Sequence, residues 1–537
     1  MPIRMEDDDP QDGGRRRPDS NNNNRGGGGG MGWLIQLLPL AILFLIKRPK
    51  LLFPILILGG IWYFFLGGQE MISGGGDNNT AYVDQQDEDS PVQFSLGASL
   101  SPENFDKIHV FEPLASGESG SLNSLPSKVS LLAFAPRRMH QGGQGSCVGW
   151  ASAYAARTIL EARASGQNAN QVTFSPSYLY NQIHLDNCNG AYMDKAMKSM
   201  MQNGAMPFRS FEYDESACDN YPSQTEIRQA QQYRIKGFNR LTQGADDLTP
   251  DVEAIKQNLA QGAPVVIGMM VGGSFMNNMI GRKLWQPTRS DYNMSGFGGH
   301  ALCVIGYDDN FEDGAFQIMN SWGEDWGDRG IFWITYEDFE YFTKEAYGLY
   351  PMGSAQDKKV DPGKLSIEFG LYDNTKKSVI PVKQVGDIVF RTNQALSKGQ
   401  KFKALIANSI DCYVYIFGQE TDGSSYILFP YNEKHDPYCG IVGTRLFPKE
   451  QSMTPDAKGN KDYIAIVFSK KELDYEAMNE EINTADGNSY ADQLKAALGN
   501  DRMRTASFKS GKSTIAFDAD VKDAAPLVGV VIEIDKK

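Results

Sequence analysis

Residues 51–68 read LLFPILILGGIWYFFLGG and carry no charged side chain. A helix crossing a bilayer needs about 20 mostly apolar residues, and this stretch comes close to that length. Trp62 and Tyr63 stand near one end, where interfacial aromatics often lie. A shorter apolar stretch, MGWLIQLLPLAILFLI (31–46), precedes it, with KRPK between the two. The shorter stretch contains Gln36 and Pro39. It lies in the interface, leads into the span, or forms the first leg of a hairpin. A cleaved signal peptide fits poorly, because the polar leader is long and no small-residue cleavage site stands out. One buried core helix is the plainer alternative, and the length and lack of charge disfavour it.

Charge sets the expected orientation. Arg15, Arg16, Arg17, Arg25, Lys47, Arg48 and Lys50 all precede residues 51–68, and no Lys or Arg follows until Lys107. The positive-inside rule puts the N-terminus in the cytoplasm and the rest outside. A hairpin that returned the chain to the cytoplasm would leave KRPK outside, against the rule, so one N-terminal transmembrane helix is expected. Residues 1–30 are polar and biased, a composition that cannot bury a core and predicts a disordered leader. Residues 69–124 are acidic, Gly/Ser-rich and aperiodic, and read as a flexible linker.

The chain has 537 residues, enough for two or three domains. Its formal charge of −14 argues against a nucleic-acid partner. No CxxC or HExxH occurs among the six cysteines and five histidines. The sequence therefore calls for no metal and no cofactor.

A different stretch carries the chemistry. Residues 140–151, HQGGQGSCVGWA, place Cys147 after a Gly-rich turn at the start of a helical pattern that Gly166 ends. A thiol at a helix N-terminus loses its proton more easily and becomes a better nucleophile. A lone cysteine is more often a small buried hydrophobe. Two later segments shift that balance. His300, in GFGGHALCVIGYDDN (296–310), stands at the mouth of an apolar strand; alone it would read as a satisfied strand-end histidine. Asn320, in GAFQIMNSWGEDWGDRGIFWITYEDF (314–339), ends a strand before a Gly/Trp-rich turn; alone it would read as a turn asparagine.

Together the three segments resemble the papain-like cysteine peptidases: Gln141 six residues before Cys147, then GGHALCVIGYDD, then NSWGEDWG. CNGAYMDKAMKSMMQNGAMPFRSFEYDESAC (188–218) and TPDVEAIKQNLAQGAPVVIGMMV (249–271) extend the resemblance. It implies an α+β fold over residues 125–352, with a helical lobe and a β-barrel-like lobe. It implies a thiol endopeptidase acting on a protein or peptide substrate, which the expected anchor would tether to a membrane. Cys147 is the implied nucleophile, His300 its proton acceptor and donor, and Asn320 the group that orients the imidazole. Gln141 and the Cys147 N–H form the implied oxyanion hole. Gly190, Ala191 and Tyr192 line the implied substrate cleft with Trp322, which shields the His–Asn hydrogen bond. Ala191 stands where the family has glycine, which puts backbone pairing with substrate in question.

The chain departs from the family in its cysteines. Gln144 occupies the position of the usual partner of Cys188, so Cys188 is expected to pair with Cys218. That bond closes a loop of about 30 residues, adds on the order of 3 kcal/mol and needs an oxidising compartment. No long helical pro-segment precedes the domain, and control by propeptide removal is not expected, although a short segment could still occlude the cleft.

From residue 363 to 537 short alternating strands with Gly/Asp/Asn turns predict a β-sandwich-like domain, with one helical insert, SYADQLKAALG. Part of it resembles a bacterial domain of unknown function found beside peptidase domains. That implies a bacterial inner membrane as location, and leaves a partner on the β domain as a guess from its position. Cys412 and Cys439 are a second candidate pair. Two other functions stay open: a catalytically silent papain-fold binding protein, and a thiol amidase acting on a cell-wall peptide.

Overall fold

The computed structural model describes residues 3–8, 94–110, 112–115, 123–353, 361, 363–499, 506–511, 513–521 and 527–537. The membrane-anchoring region expected at 31–68 lies outside these residues, as do 9–30 and 69–93. Among the described residues, no helix is long and apolar enough to cross a membrane.

The first strand, β1 (Ile3–Asp7), belongs to the C-terminal domain and is taken up there. The rest of the first half builds a helical lobe against a sheet. Cys147–Gly149, Trp150–Arg157 and Thr158–Ser165 run on as one helix whose middle is wound as a π-helix. Small residues at Ala151, Ala153, Ala155 and Ala156 let it lie deep in the core, all at 5% exposure or less. Gly166, at φ 71°, ends it by donating its N–H to Ala162.

Short strands β2 (Ala98–Ser99) and β4 (Ala191–Tyr192) pair with each other in parallel, and β3 (Lys128–Ser130) lies between them in sequence. The second lobe holds β5 (Phe238–Arg240), β6 (Val265–Val271), β7 (Gly298–Asp308), β8 (Ala315–Met319), β9 (Ile331–Thr335) and β10 (Thr343–Leu349). They pair antiparallel in the order β5-β10-β6-β7-β8-β9, with β3 added to β7. Strands β6, β7 and β8 read as near-continuous apolar runs because both faces of this part of the sheet are covered. Antiparallel pairing of β7 with β8 puts the start of β7 and the end of β8 at one edge, with Cys303 opposite Met319.

Residues 363–537 form two sheets around one apolar core, with Phe369, Phe468, Phe517 and Val530 among its members. One sheet runs from β1 through Gln451–Pro455, Phe402–Asn408, Lys364–Asp373 and Ile515–Asp520 to Ser507–Ser510. The other is built around Cys412–Gln419, Lys461–Ser469 and Leu527–Asp535. Helices Tyr475–Thr484 and Tyr490–Leu498 cover its outer face through Ile482 and Leu494. The sequence pattern announced only the second of these helices.

Three expectations need correction. The polar leader contains a formed strand, because Ile3 is 1% exposed in the sandwich core and β1 completes a sheet edge. The linker reading fails for residues 94–110 and 112–115, where Phe105, Ile108, Val110 and Leu114 are buried. That stretch is strapped between the two halves. His435 Nδ1 lies 2.5 Å from Glu112, Arg445 Nε donates to the Glu112 carbonyl (2.8 Å), and Lys434 pairs with Asp106 (3.1 Å). Finally, Cys412 and Cys439 face each other across paired strands as free, buried thiols.

Cys188 is bonded to Cys218, with 5.9 Å between their Cα atoms. The bond closes a 30-residue separation that includes β4 and helix Met193–Gln202. Cys218→Ser should lower the stability of the peptidase lobe by about 3 kcal/mol, read as a lower denaturant midpoint, with a steeper slope because the uncrosslinked denatured chain exposes more surface.

Candidate active site

Each candidate side chain reaches the site from a different element. The turn before the helix is set by Gly142, whose φ of 68° favours glycine. Tyr213 holds this turn, its hydroxyl donating to the Gln141 carbonyl (2.7 Å) and lying 2.6 Å from Ser146 Oγ. The turn delivers Cys147 to the first position of the helix, fully buried. The Ala301 N–H donates to Cys147 Sγ at 3.4 Å, so the thiol sits beside the residue that follows His300.

His300 and Asn320 meet at the shared edge of β7 and β8. Asn320 Oδ1 accepts the Ser321 N–H at 2.7 Å and lies 2.8 Å from His300 Nε2. The backbone donor fixes which way the amide faces, so Nε2 must carry a proton to donate. The other ring nitrogen, Nδ1, is then an acceptor; it is buried and has no hydrogen-bond partner. Trp322 stacks on the imidazole, 4.4 Å between centroids at 24°. The structure thus brings Cys147, His300, Asn320 and Trp322 together. No hydrogen bond joins the thiol to Nδ1 in this state.

Gln141 is also in the site, but its amide is occupied. Its Nε2 donates to the Ser95 carbonyl (3.2 Å) and the Gln144 carbonyl (2.9 Å), while its Oε1 accepts from Ser321 Oγ (2.7 Å). Trp322 Nε1 donates to the same Ser95 carbonyl at 3.2 Å. Phe94 stacks on Trp322 with 4.6 Å between centroids.

These contacts expose what the sequence reading missed. Residues 94–100, FSLGASL, lie through the cleft. The Ala191 N–H donates to the Gly97 carbonyl (2.9 Å), and the Gly97 N–H to the Gly299 carbonyl (3.3 Å). Gly190, at φ 92°, Ala191 and Tyr192 therefore do face an extended chain. Alanine in place of glycine at 191 does not prevent backbone pairing: Ala191 is fully buried and still pairs with the segment. Gly97 is needed for closeness: a Cβ there would stand 2.0 Å from the Gly145 carbonyl oxygen. The alternation of Phe94, Leu96, Ala98 and Leu100 was the available signal for an extended segment.

Burial under this segment governs the charges. It pushes the Cys147 thiol up to about 12, against the pull of nearby backbone N–H groups, and His300 down to about 4, against its bond to Asn320. The covered pair is a neutral thiol beside a neutral imidazole. Glu345, on β10, is a further buried group. Its Oε1 accepts the Ser101 N–H (2.8 Å), Tyr347 donates to its Oε2 (2.7 Å), and burial raises it to about 7.

Residues 137–351 match the family described as papain family cysteine protease. This stretch is a papain-family cysteine peptidase domain. An uncharacterised peptidase C1-like protein of Acanthamoeba polyphaga mimivirus is 29% identical over 252 residues, 45% of this chain and 74% of that protein. The cathepsin B-like CP2 of Giardia intestinalis is 27% identical over 210 residues, 37% of this chain and 63% of its own length. Xylellain, a cysteine protease from Xylella fastidiosa, is 24% identical with a TM-score of 0.39, covering 50% of this chain and 98% of that structure. By the family match, residues 137–351 are a cysteine peptidase domain, of the hydrolase class, with the papain-like fold.

Two measurements follow for this peptidase. Gly97→Val should force the segment out of the cleft and speed alkylation of Cys147 at pH 8 by at least about tenfold, since burial holds the covered thiol well above its ordinary range. The second concerns acid. His300 is held near 4 when covered, so uncovering binds a proton as pH falls below about 6.5 and acid favours release. Amide exchange at Gly97–Ser99, corrected for intrinsic rate, should rise from pH 7 to pH 5 in the native protein and stay flat in His300→Gln.

Proposed function

We propose that Cys147, His300 and Asn320 act as a triad that hydrolyses peptide bonds, in an enzyme anchored to a membrane by residues 31–68. The observation that carries the triad is the Nε2–Asn320 bond (2.8 Å), which leaves a buried, unpartnered Nδ1 as base beside the thiol. With substrate in the cleft, Nδ1 takes the thiol proton, and the sulfur attacks the scissile carbonyl carbon. Negative charge develops on the carbonyl oxygen, where the Gln141 amide and the Cys147 N–H donate hydrogen bonds. The imidazolium returns its proton to the departing amine, leaving a thioester. Water, deprotonated by the same nitrogen, attacks the thioester and restores the thiol. Trp322 keeps solvent from the His–Asn bond throughout.

The Ser95 carbonyl lies on the Gln141 amide, where that developing oxyanion would otherwise be stabilised, so the described state is latent. Displacement of residues 94–100 is the activating event. An oxidising space outside the cytoplasm suits the Cys188–Cys218 bond. The C-terminal resemblance favours a bacterial envelope. The β domain braces the strap that leads into the cleft, through Glu112, His435 and Arg445.

The deciding experiment uses the full chain in detergent, carrying Gly97→Val, with a denatured-protein substrate. Cleavage is expected, and Cys147→Ala should abolish it, down at least about 10³-fold, with Gln141→Ala down about 10²-fold. Labelling of Cys147 by a peptidyl epoxide without any cleavage would favour a silent binding protein. Cleavage confined to peptidoglycan cross-links would favour the amidase reading.

A further inference from the structure

We infer that the N-terminus and the catalytic body lie on the same face of the membrane. On this reading residues 31–46 and 51–68 enter and leave the bilayer as a pair, with KRPK (47–50) at the opposite face. The inference rests on the membrane anchoring proposed above. It revises the single span that counting of positive charges favoured.

The observation is β1. Ile3–Asp7 pairs antiparallel with Gln451–Pro455 along its whole length, from Ile3 opposite Pro455 to Asp7 opposite Gln451. Paired strands lie within about 5 Å of each other, whereas the hydrocarbon core of a bilayer is about 30 Å thick. A hydrogen-bonded pair cannot have one strand on each side. The chain that leaves β1 and returns at residue 94 must therefore cross an even number of times. Two apolar stretches lie between, separated by a short charged turn, and they supply two legs.

The rest of the sheet shows that β1 is an integral part of it. Ile3 is 1% exposed within the sandwich core. Asp8, just past the strand, accepts from Ser452 Oγ (2.6 Å) and Asn374 Nδ2 (2.9 Å) and pairs with Lys403 Nζ (2.5 Å). The Lys403 side chain is 5% exposed, and Asp8 is the carboxylate it pairs with. Without β1, a buried ammonium would lose its counter-ion. The Gln451–Pro455 strand would also lose its outer neighbour; its inner contact with Phe402–Asn408 is the single pair Phe402–Met453. An open strand edge of this kind invites pairing with other chains.

The Cys188–Cys218 bond suits an oxidising space, which places the body, and with it β1, outside the cytoplasm. KRPK is then the cytoplasmic turn. Its Lys47, Arg48 and Lys50 are then retained inside while Arg15, Arg16, Arg17 and Arg25 are translocated, so on this reading strand pairing outweighs the charge count.

The test uses full-length protein in intact spheroplasts, one variant at a time: Ser20→Cys, Pro49→Cys and Lys398→Cys. Each is treated with a membrane-impermeant maleimide before and after permeabilisation. We expect Ser20→Cys and Lys398→Cys to label from outside without permeabilisation, and Pro49→Cys only after it. Opposite behaviour of Ser20→Cys and Lys398→Cys would overturn the inference while leaving the anchor intact. Labelling of Pro49→Cys from outside would overturn the crossing. Independently, Met5→Cys with Met453→Cys, directly opposed in the sheet, should cross-link within one chain when oxidised glutathione is added to membranes. Absence of that link would overturn the strand pairing there. Extraction of the protein from membranes by alkaline carbonate is a separate failure: it would remove the anchor itself, and the topology with it.

Discussion

The hydrogen bond between His300 Nε2 and Asn320 Oδ1 organises the catalytic half of this protein. It requires β7 and β8 to be neighbours in a given register, so that the first residues of one strand meet the residue after the other. It requires the Ser321 N–H to fix the amide. It requires Trp322 to lie over the ring and exclude water. Once these hold, the tautomer of the imidazole is settled and Nδ1 becomes the only ring nitrogen free to take a proton. The long helix then needs only to bring Cys147 to the same edge, which its small residues allow by letting it sit deep against the sheet.

Electrostatics explains why a complete constellation can be inert. A thiolate–imidazolium pair is two charges, and charges are costly where water is excluded. Residues 94–100 exclude it. Their backbone occupies the pairing edge at Ala191, and the Ser95 carbonyl takes the Gln141 amide. The same hydrogen-bonding groups that suit an extended substrate therefore hold the covering segment. On the proposed reading, activity and latency are two occupancies of one surface.

The β domain is joined to this surface through the strap. The strap from Phe105 to Leu114 connects the cleft segment to the second half of the molecule through ion pairs at Asp106 and Glu112. The N-terminal strand closes the far sheet of that domain. The chain thus begins and ends in one sandwich, with the apolar stretches and the whole peptidase domain between.

Much of the site was legible in the sequence, and for a definable reason. Chemistry demands certain residue types beside certain backbone shapes: cysteine after a Gly-rich turn, histidine at the mouth of an apolar strand, asparagine before a Gly/Trp turn. Each is local, so each leaves a local trace. Alternation announced the strands of the second half in the same way. What stayed hidden was long-range. Residues 94–100 are seven residues in an acidic, glycine-rich stretch, and nothing in their neighbours says that a cleft elsewhere will take them. Helix Tyr475–Thr484 is polar along most of its length and depends on a sheet face for its stability. The charge-counting rule weighed the N-terminus by its arginines and carried no sign of β1, whose five residues pair with a strand more than four hundred positions away. Sequence alone determined which groups are candidates for the chemistry, because reactivity is a property of residues and their immediate turns. Only the tertiary structure decided whether those groups are charged, covered or free, because burial and strand pairing are made by segments that are distant along the chain.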